Sequence, residues 1–341
     1  MEKWIDDQFN EQVLKEAANR FGAVSTNAKK LGDFENYVFE VHKDSLSYIL
    51  RLTHSSHRCR QDVLAELEWI NFLHENGVNA SLVHQSANGE LVEELKLSDS
   101  SFFVCLFDKA PGDPVKAGDD HFSAPLFEKW GEMIGKMHRV TKNFEPGEAR
   151  REHWTADDVI DLSNFLDSQK DGMIITGNEM LVNKIKEIPE TKERFGLIHS
   201  DIHSGNFFFH EGDVHVFDFD DSTYFYYLSD IAIPLYYAVW AKLRNANLEE
   251  RSAFGSKFYH SFLKGYVREN HLLEEWVEQL PLFLKLRDYA LYGVFHKKVD
   301  LENGNERERE LVREIRGRLL QNELIVDLNY KEIFQAVQAG D

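Results

Sequence analysis

Apolar and polar residues alternate through much of the first third of the chain. Helical spacing follows, with one short return to alternation near residue 200. ENYVFEV (35–41) and LSYILRLT (46–53), separated by HKDS, predict a β-hairpin. Residues 60–76 carry the helical period and stop at Gly77, a residue suited to the left-handed position after a helix. SLVHQ, ELVEEL and FFVCLF predict short strands, and DKAPGDPV (108–115) gathers Pro, Gly and Asp into a break. Beyond it the period predicts helices over 123–141, 155–168, 178–188, 228–244, 248–269, 272–298 and 304–322, interrupted by a β-like island at 195–220. Segments 144–152 and 300–306 read as polar loops. The simplest architecture is α+β. It has a β-rich N-terminal lobe over residues 1–108, a hinge at about 103–114, and a mostly helical C-terminal lobe over 109–341.

Composition narrows the function. The chain has 341 residues, 43% of them hydrophobic, and 25 are Phe, enough to bury a sizeable core. Its net charge of −20 opposes general binding to phosphate backbones or anionic lipid, so neither a nucleic acid nor a membrane is expected as a partner. Cys59 and Cys105 form no C-x-x-C pair, which removes zinc-ribbon and thioredoxin-like readings. The polar, acidic start lacks the order of a signal peptide, and no apolar run approaches the ~20 residues of a membrane span. A cytoplasmic protein is expected.

The chemistry is concentrated in LIHSDIHSGNFFFHEGDVHVFDFDD (197–221), where His199, Asp201, His203, Asp218 and Asp220 stand among apolar strand residues. NFFFH and VHVFDF read as strands about a turn at 211–213. A hairpin centred on Gly212 sets Asn206 directly opposite Asp218, at a spacing that lets one cation touch both. An amide oxygen and a carboxylate suit a hard metal such as Mg²⁺. Asp201, five residues before Asn206, projects toward the same point as a potential base. Two other readings stay open: turn-capping residues around a buried hairpin, and a metal-dependent hydrolase using His199, Asp201 and His203 with Asp218.

The spacing H-x-D-x-x-x-x-N followed by D-F-D resembles the aminoglycoside phosphotransferase and choline kinase-like family, whose segments parallel the H-R-D-x-x-x-x-N and D-F-G elements of protein kinases. The resemblance implies a two-lobed protein-kinase-like fold and ATP-dependent phosphoryl transfer with Mg²⁺. It implies Asp201 as the acceptor of the hydroxyl proton and Asn206 and Asp218 as metal ligands. His199 and His203 would support the loop, and Asp220, in place of the glycine of D-F-G, would touch metal or substrate. Asp230 in LSDIAIPL resembles the acid that steadies this loop from the following helix, and His138 in GEMIGKMHRV reads as a packed structural histidine.

The resemblance also orders the nucleotide side. Gly32 and Asn36 bracket the turn of a phosphate-covering hairpin, and Arg51 in YILRL stands where protein kinases have lysine. Cys105 and Phe107 in FFVCLF would line the adenine pocket at the hinge. Glu66 is legible without any family. At 100° per residue Trp69, Ile70, Val63 and Leu73 all fall within about 60° of it, so a carboxylate faces the core and needs a cation, with Arg51 the nearest on a strand. After Asp218 there is neither an A-P-E motif nor room for a protein-kinase activation segment. The expected acceptor is therefore a small hydroxyl compound, with an amine-bearing alcohol (homoserine-, choline- or aminoglycoside-like) favoured. Phosphorylation of protein Ser/Thr is the alternative within the family.

Overall fold

The computed structural model describes residues 3–299 and 305–340; residues 300–304 of the loop expected over 300–306 lie outside them. In the N-terminal lobe, helices α1 (Lys3–Asp6) and α2 (Glu11–Arg20) precede strands β1 (Val24–Gly32), β2 (Asn36–Lys43) and β3 (Leu46–His54). Helix α3 (Arg60–Glu75) follows, then β4 (Val83–His84), β5 (Glu93–Lys96) and β6 (Ser101–Asp108). The antiparallel sheet runs β1-β2-β3-β6-β4, with β5 also on β6. Its period-2 alternation sorts β6 between two cores. Phe102, Val104 and Leu106 pack under α2, while Phe103, Cys105 and Phe107 face α3 and the large core shared with the C-terminal lobe.

The C-terminal lobe comprises β7 (Asp113–Pro114), α4 (Ala124–Thr141), α5 (Ser168–Lys186), β8 (Phe195–Ile198), β9 (Phe207–His210), β10 (Asp213–Val216) and β11 (Thr223–Tyr226). It continues with α6 (Tyr227–Leu243), α7 (Leu248–Glu269), α8 (Glu274–Val277), α9 (Leu280–Lys298), α10 (Glu306–Gln321) and α11 (Tyr330–Ala339). α4 and α7 pack so closely that a Cβ on Gly131 would lie 1.9 Å from the Phe262 carbonyl and one on Gly265 1.8 Å from that of Glu128. The hinge docks on the catalytic hairpin through β7 on β9. Gly112 makes this possible, with φ +95° and no room for a side chain against Phe209 O.

The helical period fails over 155–168. Instead of one helix, three 3₁₀ turns occupy Trp154–Ala156, Asp158–Ile160 and Leu162–Asn164. Asp157, Asp161 and Asp167 each accept a hydrogen bond from the backbone N–H two residues on, competing with helix formation and deferring it to α5. The expected 272–298 helix is split into α8 and α9. Helices α1, α2 and α11 have no counterpart in the expected set.

Candidate active site

The nucleotide side is built on β3 and α3. Arg51 and Glu66 meet as a bidentate pair, with Nη1 on Oε1 and Nη2 on Oε2, both at 2.7 Å. Both side chains are almost wholly buried. The carboxylate on the apolar arc of α3 thus has the cation it needs. Cys105 lies opposite Arg51 in the ladder and Phe107 sets its ring 5.2 Å from the guanidinium. Cys105 is completely buried and its thiol is pushed up by that burial to about 11, so it is a neutral packing group behind Arg51. Gly32 has open space around it at the end of β1. Asn36 starts β2 and donates from Nδ2 to Asp220 Oδ2 at 3.3 Å.

The loop after β8 is held from α6. Asp230 accepts from the backbone N–H of His199 at 2.9 Å and of Ser200 at 2.8 Å, which stabilises Ser200 at φ +69°. His138 braces Asp230 from behind at 3.3 Å, and its other ring nitrogen meets Tyr266 Oη at 2.8 Å. Burial outweighs the nearby carboxylate and holds His138 below its usual range, so it stays neutral. His199 is saturated by the loop, with Nε2 on the Phe217 carbonyl and Nδ1 accepting from Asp201 N. His203 accepts from Gly205 N and points Nε2 at Asp201 Oδ2, 3.3 Å away.

Asp201 is the centre of this loop. Asn206 Nδ2 donates to its carbonyl at 2.8 Å and to Oδ2 at 3.2 Å, and Arg287 Nη2 donates to Oδ1 at 2.7 Å. Burial opposes ionisation, but His203 and Arg287 hold the carboxyl well below the usual range. Arg287 and its partner Tyr237 come from α9 and α6, and nothing in the local pattern near Asp201 points to them. The one sequence signal is a run of charges, Lys285, Arg287 and Asp288, inside an otherwise apolar helix.

The hairpin register differs by one residue from the sequence expectation. The turn has two residues, Glu211 and Gly212 at φ +50° and +91°, so His210 pairs with Asp213 and Asn206 falls opposite Phe217, not Asp218. Asp218 itself adopts φ +63° beyond the paired strand. The residue is exposed, its carboxyl is pushed up by partial desolvation among its neighbours and then by Asp220, and it has no ion pair or hydrogen bond to a described residue. Asn206 spends its Nδ2 on Asp201, which leaves Oδ1 free of described partners. An unpaired carboxylate and a free amide oxygen flanking the same loop form a donor set that suits a hard divalent cation.

Asp220 ties the lobes together. His57 Nε2 lies 2.6 Å from Oδ2, and Arg58 and Arg151 donate to its carbonyl at 3.0 and 2.5 Å. Although burial opposes it, His57, Arg51 and Arg58 hold this carboxyl far below the usual range. Glu35 approaches the same His57 and also pairs with Lys298 of α9. Of these cations Arg51 is among the expected site residues, whereas His57 and Arg58 are not, although the HRCR cluster at 57–60 is a sequence sign of them. Among the described residues the one group of three with metal-ligand spacing is Glu35, His57 and Asp220, not His199, Asp201 and His203. The hydrolase arrangement therefore has no shared ligand point.

A family model described as "Phosphotransferase enzyme family" matches residues 28–268. The chain belongs to this family. Amicoumacin kinase of Bacillus subtilis (strain 168) is 33% identical over 305 residues, covering 89% of each chain. The structure of an amicoumacin kinase in complex with AMP-PNP, Ca²⁺ and Ami superposes with TM-score 0.91 at 30% identity, over 98% of this chain and 100% of that one. A spectinomycin phosphotransferase shares the fold at TM-score 0.60 and 17% identity, over 97% and 99% of the two chains. As a phosphotransferase of this family the protein is an ATP-dependent kinase acting on a hydroxyl of a small molecule. No described helix is long and apolar enough to cross a membrane.

Proposed function

We propose that this phosphotransferase moves the γ-phosphoryl group of Mg·ATP to a hydroxyl of amicoumacin or a close analogue. The acceptor is supported by the amicoumacin kinases, similar over almost the whole of both chains. The observation that carries the residue roles is the Asp201–Asn206 contact, which uses Asn206 Nδ2 and leaves its Oδ1 free beside the Asp201 carboxylate, with Asp218 one residue past Phe217, the residue opposite Asn206.

In this reading Asp201 receives the acceptor hydroxyl and takes its proton as the oxygen attacks. Its low basicity suits a loose transition state, in which orienting the nucleophile matters more than removing its proton early. Asn206 and Asp218 hold Mg²⁺, which when bound neutralises charge on the transferring phosphates. Arg51, oriented by Glu66, faces the nucleotide phosphates, and the Gly32–Asn36 turn covers them. Asp230 and His199 keep the loop in shape, and Asp220 fixes the two lobes around the reaction.

Incubation with ATP, Mg²⁺ and amicoumacin should release ADP and yield an acceptor heavier by one phosphoryl group; no ADP above the acceptor-free control would end the reading. For the metal, ATP at 100 times its dissociation constant should stabilise the protein by about 2.7 kcal/mol in thermal unfolding with Mg²⁺ present. Asp218→Ala should lose that Mg²⁺-dependent part, and a variant that kept it would remove Asp218 from the ligand set.

A further inference from the structure

Beside the Asp201 loop lies a hollow whose lining carries cations, one of them, Arg244, paired with Glu314 at 3.4 Å. The hollow, of roughly 630 Å³, begins at His203 and Tyr237 and extends past Trp240, Lys242 and Arg244 to Arg307. Its lining includes three basic side chains and no carboxylate. That volume is in the range of small-molecule sites. Both residues at its inner end touch the Asp201–Arg287 pair: His203 reaches Asp201, and Tyr237 Oη takes Arg287 Nη2 at 2.5 Å.

Arg287 has donors to spare. Nη2 is shared between Asp201 and Tyr237, and the guanidinium carbon lies 4.9 Å from the Tyr237 ring centroid. Nε is buried without a partner, and Nη1 makes no hydrogen bond to any described residue. The side chain is presented from a fixed turn. Its neighbour Asp288 is wholly buried and tied to Arg318 Nη2 at 2.6 Å and to Tyr236 Oη at 2.8 Å. A planar guanidinium with an unused Nη1, set beside the Asp201 carboxylate and also within the field of Asp221, can donate to an oxygen and disfavours an ammonium against Nη1.

We propose that Arg287 reads the acceptor. Its free Nη1 donates to a carbonyl-type oxygen carried on the carbon next to the reacting hydroxyl, so the acceptor is a hydroxy-amide or hydroxy-acid whose body lies along Tyr237 and Trp240. The inference rests on Asp201 receiving the acceptor hydroxyl. It alters the expectation of an amine-bearing alcohol in one respect: any amine must sit away from the Arg287 side of the hydroxyl.

Three compounds differing only in the substituent on the carbinol carbon test it: 1-amino-2-propanol (methyl), isoserine (carboxylate) and isoserinamide (carboxamide). Binding to the protein loaded with AMP-PNP and Mg²⁺, measured by calorimetry, needs no turnover. Isoserine or isoserinamide should bind about tenfold more tightly than 1-amino-2-propanol, the worth of one charge-assisted hydrogen bond. Preference for isoserine alone identifies a carboxylate, and preference for both identifies the neutral carbonyl. Arg287→Gln should abolish the preference and Arg287→Lys should keep part of that for isoserine, both with unchanged AMP-PNP binding as proof of folding. Equal binding of all three, or a preference that survives in Arg287→Gln, overturns the proposal. With amicoumacin as substrate, Arg287→Gln should raise KM about tenfold with a smaller change in kcat. If the wild type leaves amicoumacin untouched but keeps the carbonyl preference, the acceptor reading fails and this inference stands. Amicoumacin turnover without the preference has the opposite meaning.

Discussion

Two arginine–carboxylate pairs stand on the two sides of the candidate site, and they differ in burial and geometry. Arg51–Glu66 is symmetrical and dry, with side chains 5% and 0% exposed and both guanidinium ends engaged. Arg287–Asp201 is single-ended and wet, with both side chains 21% exposed and the guanidinium only partly used. The first turns both terminal nitrogens of Arg51 to Glu66 and leaves only its buried Nε without a partner, an arrangement that fixes the orientation of the side chain. The second keeps donors and lone pairs available, which is what a group meeting substrate requires. Burial, not residue type, separates the two pairs, and under the proposed function it separates a scaffold from a working group.

The largest expected effect falls on the working pair. Asp201→Asn should cut turnover by about 10²–10⁴-fold while ATP still stabilises the protein; unchanged turnover would strip Asp201 of its role as base. Next comes the dry pair. Glu66→Ala strands a buried guanidinium and should cost about 3–5 kcal/mol in urea unfolding. A loss below ~1 kcal/mol would mean that water reaches Arg51 and that the contrast drawn above is wrong.

The interlobe carboxylate offers a milder test. Asp220 has a folded pKa far below that of an unfolded aspartate, near 3.9. Its contribution to stability is therefore complete well above pH 4 and is lost as the pH falls below that value. Asp220→Asn should flatten the decline in unfolding free energy between about pH 5 and pH 3, and an unaltered slope would show that His57, Arg58 and Arg51 do not favour its ionised form. The smallest effect is the sharpest contrast with Glu66. Arg287→Gln breaks an ion pair of the same type, yet should lower stability by no more than about 1 kcal/mol, because water takes over the exposed groups.

Legibility in the sequence followed the distance over which each feature is decided. The catalytic loop and D-F-D segment are contiguous, so their residue types and spacing could be read directly, and Glu66 was exposed by helical periodicity because its arc of apolar neighbours lies within two turns. The hairpin register was missed by one residue because a two-residue and a three-residue turn differ only in backbone φ at Glu211 and Gly212. The 155–168 segment has helical spacing but spends three aspartates on local backbone bonds that spacing does not reveal.

The sequence by itself determined the two-lobed α+β class, the family, and which residue types gather around Asp201, Asn206 and Asp218, since all of these depend on residues close along the chain. Only the tertiary structure decided that Arg287, 86 residues after Asp201, would land on its carboxylate, that His57 and Arg58 would clasp Asp220 from the other lobe, and that Lys242, Arg244 and Arg307 would line one hollow beside His203. Those contacts are set by how α6 and α9 pack and how the lobes close. Charge at a point in space is a sum over such neighbours, and composition carries no record of where they meet.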